Sequence, residues 1–214
     1  MHCIRSSCAA RVGAGPLFAV AFGWMCIADW QSRAAEPAAE EILFNGRDLS
    51  GWQAEGGAAW EVQDGVLVGR QGPDNQPGEL LSTAEFGDFE LTVVFRMEWP
   101  GNSGVWYRYQ SADQAYQADI LEYQDPVAYT GSLYCTGKMF LARNTDPKLV
   151  HRDDWNTLTI RAVGDRHTIA LNGTTVADVR DSLCGRGRIG FQVHAGREFG
   201  NMRILVKEVK LRPL

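Results

Sequence analysis

Three short stretches of this chain each alternate apolar residues with residues that can move protons or bind polar ligands. In Gly104-Val105-Trp106-Tyr107-Arg108-Tyr109, Trp106 and Arg108 alternate with Val105, Tyr107 and Tyr109. In Tyr116-Gln117-Ala118-Asp119-Ile120-Leu121-Glu122, Gln117 and Asp119 alternate with Tyr116, Ala118 and Ile120. In Gly190-Phe191-Gln192-Val193-His194-Ala195, Gln192 and His194 alternate with Phe191, Val193 and Ala195. Side chains of a β-strand point to opposite faces in turn. The apolar sets therefore belong in a core, and the polar sets share one outer face if the strands share a sheet. That face would carry an imidazole, a carboxylate, a guanidinium, two amides and an indole.

The elements that must hold this face read as strands throughout. Phe89, Leu91, Val93, Phe95 and Met97 alternate with Glu90, Thr92, Val94 and Arg96 in the clearest strand of the chain. Asp64-Gly65 sits between Trp60–Val62 and Val66–Val68, and Asn172-Gly173 between Thr168–Leu171 and Thr175–Asp178; both are hairpin signals. Leu158, Ile160 and Ala162 alternate after Trp155-Asn156, and Ile204 to Leu211 forms a closing strand. The stretch Tyr123–Val150 is long enough to be a functional loop or to hold short strands of its own. No segment sustains a helical apolar period. Short strands with regular turns predict an all-β antiparallel sandwich or barrel.

Composition agrees with one soluble domain behind a targeting segment. The 214 residues are 45% hydrophobic and 22% charged, with 23 glycines and seven tryptophans. A formal charge of −5 with no basic cluster argues against nucleic acid as a partner. Arg5 and Arg11 precede an apolar run from Pro16 to Ala28, the pattern of a secretory signal and too short for a membrane span of about 20 residues. The chain thus divides into a signal peptide over 1–28, a linker over 29–40 and a domain over 41–214, exported to the periplasm or secreted. Cleavage after Ala28 removes two arginines and no acids, taking the charge to −7. It leaves Cys135 and Cys184, which an oxidising compartment would allow to pair and which equally suit two buried thiols.

The motifs resemble a known family in their order. They are Leu43-Phe44-Asn45-Gly46-Arg47-Asp48-Leu49-Ser50-Gly51-Trp52, Phe86-Gly87-Asp88-Phe89-Glu90-Leu91, Gly101-Asn102-Ser103-Gly104-Val105, Tyr116–Ile120, Gly131-Ser132-Leu133-Tyr134, Trp155-Asn156, Leu171-Asn172-Gly173 and Gly187–Gly196. Each is weak alone, and eight in order over residues 41–214 are specific. The chain resembles the 3-keto-disaccharide hydrolases, also described as 3-keto-glycoside 1,2-lyases and 3-keto-2-hydroxyglucal hydratases. The resemblance implies a concanavalin-like jelly-roll sandwich of two antiparallel sheets with sugar on a concave face. A 3-keto group acidifies the C2 proton, so a base can remove it and the C1 substituent can leave; hydration reverses that logic. On this reading His194 is the base, because an unperturbed imidazole titrates near neutral pH. Asp119 orients His194, acts as the base itself or binds a metal. Arg108 steadies the enolate oxygen, and Glu122 is the leaving-group acid, returned to the face of Asp119 by a bulge. Trp106 is a stacking platform, Gln117 and Gln192 bind hydroxyls, and Tyr134 and Lys138 lie in a segment that could cover the site.

Other readings remain open at this point. No redox cofactor is required, since a separate sugar 3-dehydrogenase would supply the ketone. A divalent metal such as calcium could sit among Asp119, Glu122 and His194, although no tight ligand spacing demands it. Gln117-Ala118-Asp119-Ile120-Leu121-Glu122 is similar to the Glu-x-Asp-x-x-Glu pattern of retaining β-glucanases, but Gln117 stands where the nucleophile would be. That disfavours a conventional glycoside hydrolase. A non-catalytic carbohydrate-binding module on the same sandwich is the main alternative.

Overall fold

The computed structural model of the chain describes residues 39–214. The signal peptide over 1–28 and the linker as far as residue 38 lie outside the described residues. In chain order the strands are β1 (Glu41–Ile42), β2 (Trp52–Gly56), β3 (Ala59–Gln63), β4 (Val66–Arg70), β5 (Gly78–Phe86), β6 (Phe89–Glu98), β7 (Asn102–Ser111) and β8 (Gln114–Gln124). They continue as β9 (Val127–Cys135), β10 (Met139–Asn144), β11 (Asn156–Val163), β12 (Arg166–Leu171), β13 (Thr174–Arg180), β14 (Gly187–Val193) and β15 (Arg203–Pro213). The Tyr123–Val150 stretch therefore holds strands of its own, β9 and β10.

All pairings are antiparallel, in two sheets. One runs β13-β12-β11-β6-β15-β4-β3, with β1 added to β15; the other runs β10-β9-β8-β7-β14-β5-β2. Residues adjacent in sequence are thus split between layers, and the core forms where the two inner faces meet. On β6 the buried residues alternate without a break, Phe89, Leu91, Val93, Phe95 and Met97 facing inward. From the other sheet Val105, Tyr107, Tyr116, Ala118, Ile120, Phe191 and Val193 complete the same core. Asp64 (φ 50°) and Gly65 (φ 81°), like Asn172 (φ 49°) and Gly173 (φ 82°), take the two consecutive left-handed positions that a tight hairpin requires. Cys135 and Cys184 are both buried free thiols, and burial pushes the Cys135 thiol up to about 11.

A second, smaller apolar cluster lies on the outer face of the seven-stranded sheet, formed by Leu81, Trp106, Tyr109 and Ala115 with Tyr134 against it. A sheet face turned to solvent would ordinarily be polar.

Candidate functional site

That outer face carries a cleft of about 350 Å³. The register of the strands fixes what meets in it. Trp106 on β7 is opposite Gln117 on β8 and Gly190 on β14, and Gln117 is opposite Tyr134 on β9. In the next row Gly104 lies between Asp119 and Gln192, and Gln192 faces Glu79 on β5. One row further, Asn102 is opposite Leu121, and its carbonyl accepts the backbone N–H of His194 at 3.2 Å.

The floor is polar, buried and unpaired. Trp106, Gln117 and Asp119 are 6%, 4% and 2% exposed, and Trp106 Nε1, Gln117 Nε2 and Asp119 Oδ2 have no hydrogen-bond partner among the described residues. A buried polar atom left unsatisfied costs about 1–3 kcal/mol. Three of them gather at neighbouring register positions of this face. Gly104 makes the arrangement sterically attainable: a Cβ there would lie 2.5 Å from the Gln117 side chain, which rests across the bare backbone.

Burial sets the protonation of the floor. Desolvation alone holds the Asp119 carboxyl well above the usual carboxylate range, which favours its protonated form. The Tyr134 hydroxyl is raised by burial and then by the neighbouring Asp119. On the opposite wall, burial and then the Glu55 carboxylate raise Glu79, while His194 draws it down.

His194 stands exposed just beyond β14. Its Nδ1 lies 2.6 Å from the Ala195 carbonyl. A carbonyl only accepts, so Nδ1 is the donor in this contact, and in the neutral imidazole Nε2 then carries the lone pair. The backbone around it is tethered: Gln71 Nε2 donates to the carbonyls of His194 (2.7 Å) and Gly196 (2.9 Å). Gly196 (φ 125°) adopts a conformation closed to L side chains, and a Cβ there would strike the Glu198 carboxylate.

The structure brings Trp106, Gln117, Asp119, Tyr134, Gln192 and His194 to one cleft and separates three other residues from it. Arg108 is fully buried elsewhere. Between Trp106 and Tyr109 β7 advances three residues, while its partners Gly190 and Arg188 are two apart. The extra residue is a β-bulge with Arg108 at φ 47°. The guanidinium donates to the carbonyls of Gly87 (3.1 Å), Gly164 (2.7 Å) and Cys184 (3.2 Å) and to Asp88 Oδ1 (2.8 Å). Arg108 is a structural cation and cannot reach an enolate in the cleft. The same bulge turns Tyr109 outward onto the Trp106 ring, at 5.7 Å between centroids.

Glu122 is also outside. The bulge expected before it does not occur: β7 and β8 pair without a slip from Asn102↔Leu121 to Tyr107↔Tyr116. Leu121 and Tyr123 therefore follow Asp119 into the cleft, and Glu122 pairs with Arg152. Lys138 pairs with Asp181 at 2.5 Å and does not line the cleft; Met139 and Phe140 do. Asp119 and His194 make no hydrogen bond to one another, so Asp119 does not orient the imidazole. With Glu122 turned away, Asp119, Glu122 and His194 do not converge on a metal position, and among the described residues no group of three metal-ligating side chains does.

Glu79 was not visible as a site residue, because β5 (GELLSTAEF) does not alternate cleanly. The Leu121/Tyr123 side of the cleft was hidden by the bulge assumed at Glu122.

The solved structures that resemble this one share its fold. A candidate glycosyl hydrolase from Parabacteroides distasonis aligns with a TM-score of 0.62 at 18% identity, over 82% of this chain and 94% of its own. The carbohydrate-binding module CBM66 from Bacillus subtilis aligns with a TM-score of 0.58 at 21% identity, over 75% and 94%. The fold is thus a concanavalin-like, galectin-like sandwich. A 3-keto-disaccharide hydrolase from Bacteroides thetaiotaomicron is 29% identical over 74 residues, which is 30% of this chain and 26% of that protein. The chain matches only about a quarter of that relative's length. The match to the family as a whole is far longer: over residues 40–210, the chain belongs to the family of 3-keto-alpha-glucoside-1,2-lyase-like domains.

Proposed function

We propose that this domain cleaves 3-keto-glycosides by removing the C2 proton and expelling the C1 substituent, and that it hydrates the resulting 3-keto-2-hydroxyglucal. The observation that carries this reading is the floor of the cleft: two unpaired donors, Trp106 Nε1 and Gln117 Nε2, beside Asp119, whose buried carboxyl is held well above the usual carboxylate range. An enolate needs donors at its oxygen, placed in advance and shielded from water. A carboxylic acid kept protonated by an apolar site can act as such a donor. The role expected of Arg108 thus passes to Asp119, Gln117 and Trp106.

His194 supplies the base through Nε2. The C2–H electron pair moves into the enolate, the C1–O bond breaks as the ketone re-forms, and the aglycone oxygen leaves with its electron pair. In the reverse sense water adds at C1 and a proton returns to C2, so the net change is hydrolysis with no redox step. The ketone must come from an enzyme that oxidises the sugar at C3. Gln192 and Asn102 lie where they can hold ring hydroxyls, and Trp106 and Tyr134 offer aromatic faces.

Replacing His194 with alanine lowers turnover of a 3-keto-glucoside by about 10²–10⁴-fold, the usual contribution of a positioned base. Unchanged turnover in His194→Ala, followed by NMR, removes His194 from the mechanism. Binding of glycans with no turnover of any keto sugar favours a carbohydrate-binding module instead. The reading includes export through residues 1–28, and N-terminal sequencing of the mature protein from its host tests it: a start near Asp29 supports it and an intact Met1 opposes it.

A further inference from the structure

The cleft has two unlike ends across the sheet. Gln192, Glu79 and His194 line it from β14, its end and β5, and Leu121, Tyr123, Met139 and Phe140 line it from β8 and β10. Tyr123 is 43% and Met139 55% exposed, and they are two of the five exposed large hydrophobic residues among those described. From the floor an aromatic series runs out to this rim, with Trp106 to Tyr134 at 6.4 Å, Tyr134 to Phe140 at 6.5 Å and Phe140 to Tyr123 at 6.3 Å between centroids. Nearby charges are held elsewhere: Glu122 by Arg152, Lys138 by Asp181, and Arg143 by the Val127 carbonyl at 2.8 Å.

Resting on the reading of the cleft as a 3-keto-glycoside site, we propose that the apolar end is the aglycone subsite and that it takes a planar aromatic group. The substrate class is then the 3-keto O-aryl glycosides, glycosides of phenols. Three arguments converge. An aryl ring gains burial and edge-to-face contacts against Phe140 and Tyr123. A second sugar ring would set its hydroxyls against Leu121 and Phe140, which carry no hydrogen-bonding group, and the weakly accepting thioether of Met139. Finally, Glu122, the leaving-group acid expected here, is turned away to Arg152. A phenol, with a pKa of about 10, departs as the anion far more readily than an alkyl alcohol, which is about as weak an acid as water. The volume of about 350 Å³ suits one sugar with one small ring, near the lower bound of ligand sites at roughly 300–1,000 Å³.

The test compares kcat/KM of the purified protein for 3-keto phenyl glucoside, 3-keto methyl glucoside and a 3-keto disaccharide, in the wild type, Phe140→Ala and Tyr123→Ser. A phenyl preference of about tenfold or more that falls toward one in both variants supports the subsite. Turnover with equal rates, or with the disaccharide preferred, overturns it and leaves the lyase reading standing. A phenyl preference that survives both variants reflects leaving-group ability alone and also overturns it. Binding of the unoxidised phenyl and methyl glucosides, followed by tryptophan fluorescence, separates the two claims. Tighter phenyl binding that Phe140→Ala weakens, with no turnover of any keto sugar, supports the subsite while the lyase reading fails. Equal binding with no turnover overturns both.

Discussion

An ionised carboxylate at Asp119 would sit 2% exposed with one oxygen unpartnered, beneath aromatic side chains. The group therefore stays protonated in the folded state at pH values where an unfolded chain ionises it. The sign of the linkage follows. Between the unfolded pKa, near 3.8, and the raised folded value, the folded state binds the extra proton, so this residue costs stability as pH rises through that window. Asp119→Asn keeps the shape and loses the titration. Its melting temperature relative to wild type should climb from pH 4 upward; a flat difference shows that Asp119 is not a buried neutral acid. For catalysis the same logic makes Asp119 a donor. Asparagine retains an N–H, whereas leucine does not, so Asp119→Leu should lose about 10²–10³-fold more activity than Asp119→Asn. Equal losses in steady-state kinetics contradict a donor role.

At the level of elements, one inserted residue in β7 decides which side chains reach the cleft. Regular alternation places Arg108 beside Trp106 and Tyr109 in the core, and this is how the sequence reads. The bulge reverses both. Nothing in the run from Gly104 to Tyr109 signals an extra residue, because no glycine marks it and Arg108 itself takes the left-handed conformation. At Glu122 the error is the converse: a bulge inferred from a glucanase-like pattern is absent. Where alternation is unbroken, as on β6, at Gln117 and Asp119 on β8, and at Gln192 on β14, the facing of each residue was legible. Glu79 was not, since its strand mixes apolar and polar residues on both faces. Gly104 offers a test of the strand-level account. A Cβ at 2.5 Å from the flexible Gln117 side chain displaces that amide rather than the backbone. Gly104→Ala should therefore lower kcat by about tenfold or more while shifting the melting temperature little. A variant that loses stability and activity together contradicts a floor role for Gln117.

Across the whole molecule, the two sheets are tied near the end of the cleft by the guanidinium of Arg108, which collects carbonyls from the β5–β6 turn, the β11–β12 turn and the segment before β14. Arg108→Leu removes these hydrogen bonds and leaves the buried Cys184 carbonyl unpaired, whereas the exposed Asp88 keeps the Gly164 N–H at 3.0 Å. It should destabilise the fold by about 1–3 kcal/mol, measured by denaturant unfolding; no measurable change contradicts the structural role. The sandwich so held presents a cleft on one outer face, and the central claim is that C2 of a keto sugar is deprotonated there. The most direct measurement runs the reaction in D2O and follows C2 by NMR, beside an enzyme-free control. An exposed His194 exchanges its proton with solvent, so the account predicts 3-keto-glucose carrying deuterium at C2, with the unoxidised parent glucoside untouched. Cleavage of the parent glucoside, or a 3-keto product that retains its C2 hydrogen, would contradict it.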